Sequence, residues 1–221
     1  MKLLQITLFI ILGLTTISCQ SKTKSEQRHE VIADLAENEL QQYETAYFAS
    51  GCFWCVEAIF ESIKGVKEVV SGYSGGKEKD PTYEDVGYGR TTHAEAVEVY
   101  YDPKVVSFET LVKVFFGSHD PTTLNRQGPD KGAQYRSIAF YKNGSEKKII
   151  NDYISQLRKE KVYSAPIVTE VKPFSIFYRA EDYHQDYEKN HPNNSYILNV
   201  SIPRLKQFQA KFPQLLKEGT H

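Results

Sequence analysis

From about residue 45 the chain alternates short apolar runs with stretches of helical periodicity. Residues 46–49 (Ala-Tyr-Phe-Ala) form an apolar run that predicts a buried strand, ended by a Ser50-Gly51 turn. Residues 52–64 predict a helix: Phe53, Val56, Ile59, Phe60 and Ile63 recur at helical spacing, Glu57 and Glu61 fall on the other face, and Gly65 closes it. Residues 94–101 partly alternate and predict a strand. Residues 107–116 predict a helix with Ser107 as its N-cap and Gly117 just past its end. A strand over 135–141 runs into an Asn143-Gly144 turn, and a helix over 146–159 follows, with Ile149, Ile150, Tyr153, Ile154 and Leu157 on one side. A strand is predicted over 165–171, and helices over 180–189 and 203–211. Mixed strands and helices joined by long loops, without an internal repeat, predict one α+β sandwich.

The first residues follow a different pattern. Lys2 precedes an apolar run over residues 3–14, broken only by Gln5, Thr7 and Gly13, and small or hydroxylated residues lead on to Cys19. The run is shorter than the roughly 20 residues of a spanning helix, so it reads as a signal peptide over residues 1–18 rather than as a membrane anchor helix. Thr16-Ile17-Ser18-Cys19 resembles a bacterial lipoprotein signal, although Thr16 stands where an aliphatic residue is usual. That resemblance implies lipidation of Cys19 and a polar tether over residues 19–44. It also implies a lipid-anchored protein of the bacterial cell envelope, on the periplasmic side or at the outer membrane, with a cytoplasmic location as the alternative. The catalytic domain is then expected over residues 45–212, with a tail over 213–221.

Composition narrows the function classes. The 221 residues are 40% hydrophobic and 25% charged, enough for one packed core. Lys and Arg number 27 against 28 Asp and Glu, so there is no basic excess of the kind that neutralises nucleic-acid phosphates. Three cysteines are too few for a disulfide scaffold or a four-thiolate zinc site, and no His/Cys/carboxylate group shows metal spacing. With Cys19 taken by lipid, only Cys52 and Cys55 remain for chemistry.

Those two lie in Gly51-Cys52-Phe53-Trp54-Cys55, at a predicted strand-to-helix turn. A thiol in the first turn of a helix faces unpaired backbone N–H groups and the positive end of the helix dipole, and both favour thiolate. Cysteines three apart on a helix share a face, near the separation that a disulfide tolerates. A buried pair of small hydrophobic side chains is the bland alternative. The C-x-x-C pair alone would equally suit a general thiol–disulfide oxidoreductase.

Further motifs distinguish these readings. Gly51-Cys52-Phe53-Trp54 followed by Glu57 resembles the signature of the A-type peptide methionine sulfoxide reductases. Val70-Ser71-Gly72-Tyr73-Ser74-Gly75-Gly76, Pro81-Thr82-Tyr83-Glu84, His93-Ala94-Glu95 and His119-Asp120-Pro121 resemble family motifs in the same order. So do Gln127-Gly128-Pro129-Asp130, Gln134-Tyr135-Arg136-Ser137 and Ala180-Glu181-Asp182-Tyr183-His184-Gln185. The resemblance implies a two-layer α/β sandwich with a ferredoxin-like core. It implies reduction of the S epimer of methionine sulfoxide, in oxidised proteins and as the free amino acid, by a monomer without cofactor or metal.

Residue by residue, the resemblance makes Cys52 the nucleophile, Glu95 the acid, and Phe53 and Trp54 the wall that receives the substrate methyl group. Tyr83 and Tyr135 correspond to phenols that hydrogen-bond the sulfoxide oxygen, and Asp130 to a carboxylate that organises the pocket. His184 corresponds to a structural or substrate-contacting position. Many relatives carry a recycling cysteine just after a C-terminal Tyr, but here Ile197 follows Tyr196 and no cysteine lies beyond Cys55. Cys55 is therefore the candidate resolving thiol, with direct reduction of a Cys52 sulfenic acid by an external thiol as the alternative. Electrons are expected from thioredoxin or a thioredoxin-like reductant.

Overall fold

The computed structural model of the chain describes residues 39–219. The expected signal peptide, Cys19, most of the tether and the last two residues of the tail lie outside the described residues. Among the described residues no helix is long and apolar enough to cross a membrane.

Period-two alternation divides the central strands between two faces. In β1 (Glu44–Ser50), Ala46 and Phe48 enter one apolar cluster, and Tyr47 and Ala49 enter another. In β3 (Ala94–Tyr101), Val97, Val99 and Tyr101 join the first cluster, while Ala94 and Ala96 join the second. The same parity sends Glu95 to the face of Val97 and Val99. Directly opposite it on β2 (Val66–Ser74) is Tyr73, also of the first cluster.

Helices cover that first face. α1 (Phe53–Glu61) contributes Phe53, Val56, Ile59 and Phe60, and α3 (Phe108–Gly117) contributes Leu111, Val112 and Phe115. α4 (Gly144–Lys159) adds Ile150, Ile154 and Leu157. Phe48 is fully buried at the centre, with its ring 5.1 Å from those of both Phe60 and Phe115. Such aromatic pairs add about 0.5–1.5 kcal/mol each beyond the area that they bury. On the other face Tyr47 stacks on Phe174 at 3.6 Å.

β1, α1, β2, β3, α3 and β6 (Ser137–Tyr141) follow one another in a split βαβ arrangement, with strands adjacent in the order β6-β1-β3-β2 and every pair antiparallel. This is the expected two-layer α/β sandwich with a ferredoxin-like core. α4 then carries the chain to β7 (Glu170–Pro173), which pairs parallel to β6, and β8 (Phe177–Arg179) closes the far edge against β2. α2 (Tyr83–Gly87) is inserted between β2 and β3, and the hairpin β4 (Arg126–Gln127) and β5 (Asp130–Lys131) between α3 and β6. α5 (Tyr187–Asn190) and α6 (Ile202–Lys211) follow β8.

Several elements differ from the pattern-based expectation. The first helix ends at Glu61 rather than residue 64, where the Ser62 hydroxyl donates to the Ile59 carbonyl at 2.6 Å. Asn143-Gly144 is not a free turn, because Asn143 accepts from the Glu146 amide and caps α4. The strand expected over 165–171 forms only at Glu170–Pro173, and before it the Val168 amide is drawn to the Pro121 carbonyl. The helix expected over 180–189 is divided into a 3-10 turn, Asp182–His184, and α5. Between the two, the Gln185 side chain bonds the Ser71 amide and carbonyl, and Asp186 takes a left-handed φ of 51°. β2, β8 and α2 have no counterpart among the predicted elements.

Candidate active site

Gly51 takes φ +92°, and a Cβ there would meet the Gln127 Cβ at 2.7 Å. Glycine thus lets β1 turn abruptly into α1 while the β4–β5 hairpin packs against the turn. Cys52 is the N-cap of α1 and is buried, as is Cys55 one turn later; both are free thiols. The amide of Phe53, next in the chain, donates to Glu95 Oε2 at 3.0 Å, which fastens the head of α1 to the middle strand.

Glu95 is 2% exposed. Burial pushes its carboxyl up to about 8, against the pull of the Phe53 amide, and negative charge on Asp130 and Cys55 adds to the rise. Glu95 therefore keeps its proton at neutral pH. Tyr83 and Tyr135 both feel the charges of Glu95 and Cys52; burial foremost raises the Tyr83 phenol to about 12 and holds Tyr135 higher still. Both remain hydroxyl donors. Asp130 accepts from the Tyr196 hydroxyl at 2.6 Å, and that same oxygen lies 3.8 Å from Cys55 Sγ. Burial also raises the Asp130 carboxyl.

The two sulfurs reverse the expectation from helix position. Burial pushes the Cys52 thiol well up, and its proximity to Cys55 and Glu95 adds to this. Cys55 is lowered instead, first by the hydrogen bond from Cys52, then against burial by the Arg204 charge and the hydroxyls of Ser201 and Tyr196. As N-cap, Cys52 makes no side-chain capping bond, so desolvation outweighs the dipole there.

Aromatic rings enclose this constellation. Phe53 lies 6.2 Å from Tyr83 and 5.1 Å from His184, while Trp54 stacks on Tyr187 at 3.8 Å and meets Tyr196 edge-on at 5.9 Å. The Trp54 indole N–H donates to His184 Nδ1 at 3.2 Å, which leaves the proton of the neutral ring on Nε2. His184 is 2% exposed, and burial lowers its pKa, so the ring is uncharged. Glu181 joins the Tyr73 hydroxyl at 2.8 Å to the Tyr83 amide at 2.9 Å, which fixes the start of α2.

Sequence reasoning gathered Cys52, Phe53, Trp54, Cys55, Tyr83, Glu95, Asp130, Tyr135 and His184, and the structure brings all of them to this one place. It missed Tyr187 and Arg204 and gave Glu181 no role beyond its place in the 180–185 motif; none of the three stands out by spacing among 15 Tyr and 28 acidic and 27 basic residues. Glu57, on the face of α1 opposite the apolar residues, is buried all the same. It is 3% exposed and accepts from Ser71 Oγ at 2.6 Å and the Asp186 amide at 2.7 Å. Glu57, Glu61 and Asp186 form an acidic cluster, but Lys189 bonds Glu61 at 2.7 Å and Asp186 at 2.6 Å and supplies its positive charge.

Comparison with known proteins decides the class. The family described as peptide methionine sulfoxide reductase matches residues 44–216. The chain is 45% identical over 183 residues to the peptide methionine sulfoxide reductase MsrA of Polynucleobacter asymbioticus, covering 83% of this chain and 96% of that protein. The chain belongs to the A-type peptide methionine sulfoxide reductases. It is also 47% identical to the MsrA of Saccharolobus solfataricus over 79% of this chain and 97% of that protein. Among solved structures, methionine sulfoxide reductase A of Corynebacterium diphtheriae is similar with a TM-score of 0.61 and 36% identity, over 68% of this chain and 76% of that one.

In this reductase the remaining family-like motifs serve the scaffold. His93 accepts from the Gly76 amide at 3.2 Å and contacts the Glu78 carbonyl at 2.8 Å, which holds the loop below Glu95. His119 lies between the Phe115 carbonyl and the Ser137 hydroxyl, and burial pushes its pKa down to about 3. Arg136 ties Glu170 of β7 to the carbonyls of Ala133 and Thr92.

Proposed function

We propose that the enzyme reduces the S epimer of methionine sulfoxide, in oxidised proteins and as the free amino acid, through a sulfenic acid on Cys52. Cys52 attacks the sulfoxide sulfur as thiolate, Glu95 gives its proton to the oxygen, and Tyr83 and Tyr135 donate hydrogen bonds to that oxygen. The oxygen passes to Cys52, so methionine leaves and Cys52 becomes a sulfenic acid. Phe53 and Trp54 receive the substrate methyl, and Asp130 keeps the pocket ordered. Cys55 then attacks the Cys52 sulfur, water departs, and a Cys52–Cys55 disulfide remains for a thioredoxin-like dithiol to reduce. No metal or cofactor takes part in this cycle.

The observation that carries this reading is the buried, protonated Glu95 bonded to the amide next to Cys52. The departing sulfoxide oxygen requires a proton, and Glu95 is the buried acid beside Cys52 that holds one. The recycling step rests on Cys55, one helical turn from Cys52 and buried with it.

Cys55→Ser is expected to separate the two halves of the cycle. Without reductant the variant should still form one equivalent of methionine, because Cys52, the aromatic pocket and Glu95 are unchanged. Turnover driven by a thioredoxin should fall by at least about tenfold, since such proteins attack disulfides rather than sulfenic acids, and dithiothreitol should partly restore it. Free-thiol titration after one turnover should show two thiols lost in the wild type and one in the variant. Thioredoxin-driven rates equal in both proteins would remove Cys55 from the cycle. Selectivity is read separately, and equal rates on the two sulfoxide epimers would refute the stereochemical part.

We infer a lipid anchor from the residues around Cys19 alone. Cys19→Ala should release the protein from membranes or leave it unprocessed, while the isolated domain from about Thr45 keeps full activity. An intact mass of the membrane-extracted wild type that begins at an unmodified Met1 would overturn this.

A further inference from the structure

Trp54 and Glu57 stand three apart on α1, so their side chains share one face of the helix. Asp186 and Tyr187, consecutive in the chain, meet that face. The Asp186 amide donates to Glu57 Oε1 at 2.7 Å, and the Tyr187 ring lies on the Trp54 indole at 3.8 Å with an interplanar angle of 8°. Glu57 Oε2 accepts at the same time from Ser71 Oγ of β2 at 2.6 Å. Ser71 is fully buried, and its amide and carbonyl are both taken by the side chain of Gln185, the residue before Asp186, at 3.0 Å. One carboxyl group thus joins α1, β2 and the segment that supplies Tyr187.

α5, which begins at Tyr187, has little of its own to hold it in place. It spans four residues, buries none of them and has no side-chain cap, and so short a helix does not persist on its own bonds. Asp186 before it takes φ 51° and ψ 31°, a left-handed conformation that a non-glycine residue keeps where its surroundings impose it. Lys189 pairs with Glu61 and Asp186, but its side chain is 61% exposed, and such pairs contribute little. The Ser201 hydroxyl donates to Glu188, and the Asn194 amide reaches the Tyr187 hydroxyl at 3.4 Å. These two bonds tie α5 to the chain that follows it. Apart from the Trp54 stack itself, the tie to α1 that lies out of water is the one from Glu57, which is 3% exposed.

We propose that Glu57 is a positioning residue for the substrate pocket: by holding the Asp186 amide it sets the Tyr187 ring against Trp54 and keeps the indole at the pocket wall. This rests on the reading that Trp54 receives the substrate methyl. Trp54 is then fixed at two points, its face by Tyr187 and its N–H by His184 Nδ1. The bonds of Glu57 go to Ser71 and Asp186 and to none of Cys52, Glu95, Tyr83 and Tyr135. Its loss should therefore weaken the fit of the substrate and spare the oxygen transfer. Reach matters here rather than charge. Glutamine keeps the length, with a carbonyl for the Asp186 amide and an NH₂ for Ser71, whose hydroxyl can also accept. Aspartate keeps the charge but is one methylene too short to reach both donors, and alanine reaches neither.

Full-length protein without reductant, given N-acetylmethionine sulfoxide, supplies single-turnover rates as a function of substrate concentration. Glu57→Ala should raise the half-saturating concentration about tenfold and change the limiting rate by less than about threefold, the pattern of lost binding rather than lost chemistry. Tyr187→Ala should do the same, and the double variant should be no worse than either alone, because both remove one contact. The indole N–H proton resonance of Trp54, shifted by the ring stacked on it, should move alike in all three. Glu57→Gln should match the wild type in both measurements, and Glu57→Asp should fall toward alanine. A merely structural defect would lower the limiting rate as well and would not follow that order. If Glu57→Ala does not fold, Glu57→Gln and Glu57→Asp still supply the test, and Asp closer to wild type than Gln overturns the proposal. So do multiplying effects of Glu57→Ala and Tyr187→Ala, or an indole resonance unmoved by Glu57→Ala. If neither alanine variant changes the half-saturating concentration, the reading of Trp54 as the pocket wall fails and the proposal falls with it. A change in Tyr187→Ala alone leaves that reading standing and removes Glu57 from the pocket.

Discussion

Cys52→Ser is expected to bring methionine sulfoxide reduction to background, a loss on the order of 10⁶-fold, as when a hydrolase loses its nucleophile. The hydroxyl is nearly the size of the thiol, and the site is 6% exposed, so the fold should persist with little change in Tm. What goes is a polarisable sulfur able to bond to the substrate sulfur and accept its oxygen. A serine alcohol cannot take that oxygen, so no small-thiol reductant should rescue the variant, in contrast to Cys55→Ser. Chromatographic measurement of methionine after one turnover is the direct check. Residual formation within tenfold of wild type would remove Cys52 as nucleophile.

Glu95→Gln is expected to slow the oxygen-transfer step by about 10²–10⁴-fold, the usual loss when a general acid is removed. The amide can still accept from the Phe53 N–H, so the head of α1 should stay fastened to β3. The pH dependence gives a sharper signature. Burial raises Glu95 to about 8, so its proton is present below that value and lost as pH rises through it. The ratio of wild-type to variant single-turnover rates should therefore be flat at lower pH and fall about tenfold per unit above about pH 8. Taking the ratio cancels the opposing rise from ionisation of Cys52, whose thiol is itself raised by burial. A ratio that stays constant across that range would take the acid role away from Glu95.

The elements legible in the sequence were those whose pattern is local. Ser107 announces α3 because a hydroxyl N-cap bonds an amide three residues on, here Thr110 at 3.1 Å. β3 matches its predicted bounds because its alternation has one apolar and one mixed face. β2 escaped notice because a register shift between Val66 and Glu68 breaks its alternation, and its Gly72 has no room for a side chain, with a Cβ there 2.3 Å from the Tyr178 carbonyl oxygen and 2.4 Å from the Phe177 ring. The segment after β8 was unreadable for a similar reason: Gln185, Asp186 and Glu57 spend their polar groups on long-range bonds that no local periodicity encodes.

The candidate site was legible where resemblance supplied it, and its residues do converge. Charge was not legible. A helix start argues for a thiolate on Cys52, and only the folded surroundings show that burial wins there.

Trp54 is the single tryptophan of the chain, and it stands in the site itself, stacked on Tyr187 and bonded through its indole to His184. Tryptophan emission from this protein therefore comes from one place. Nothing elsewhere in the fold dilutes it, and neither unstacking from Tyr187 nor loss of the imidazole contact can occur without altering it. The enzyme carries its own fluorophore at the wall of the pocket, so occupancy and the redox state of the adjacent sulfurs can be followed in real time without a label.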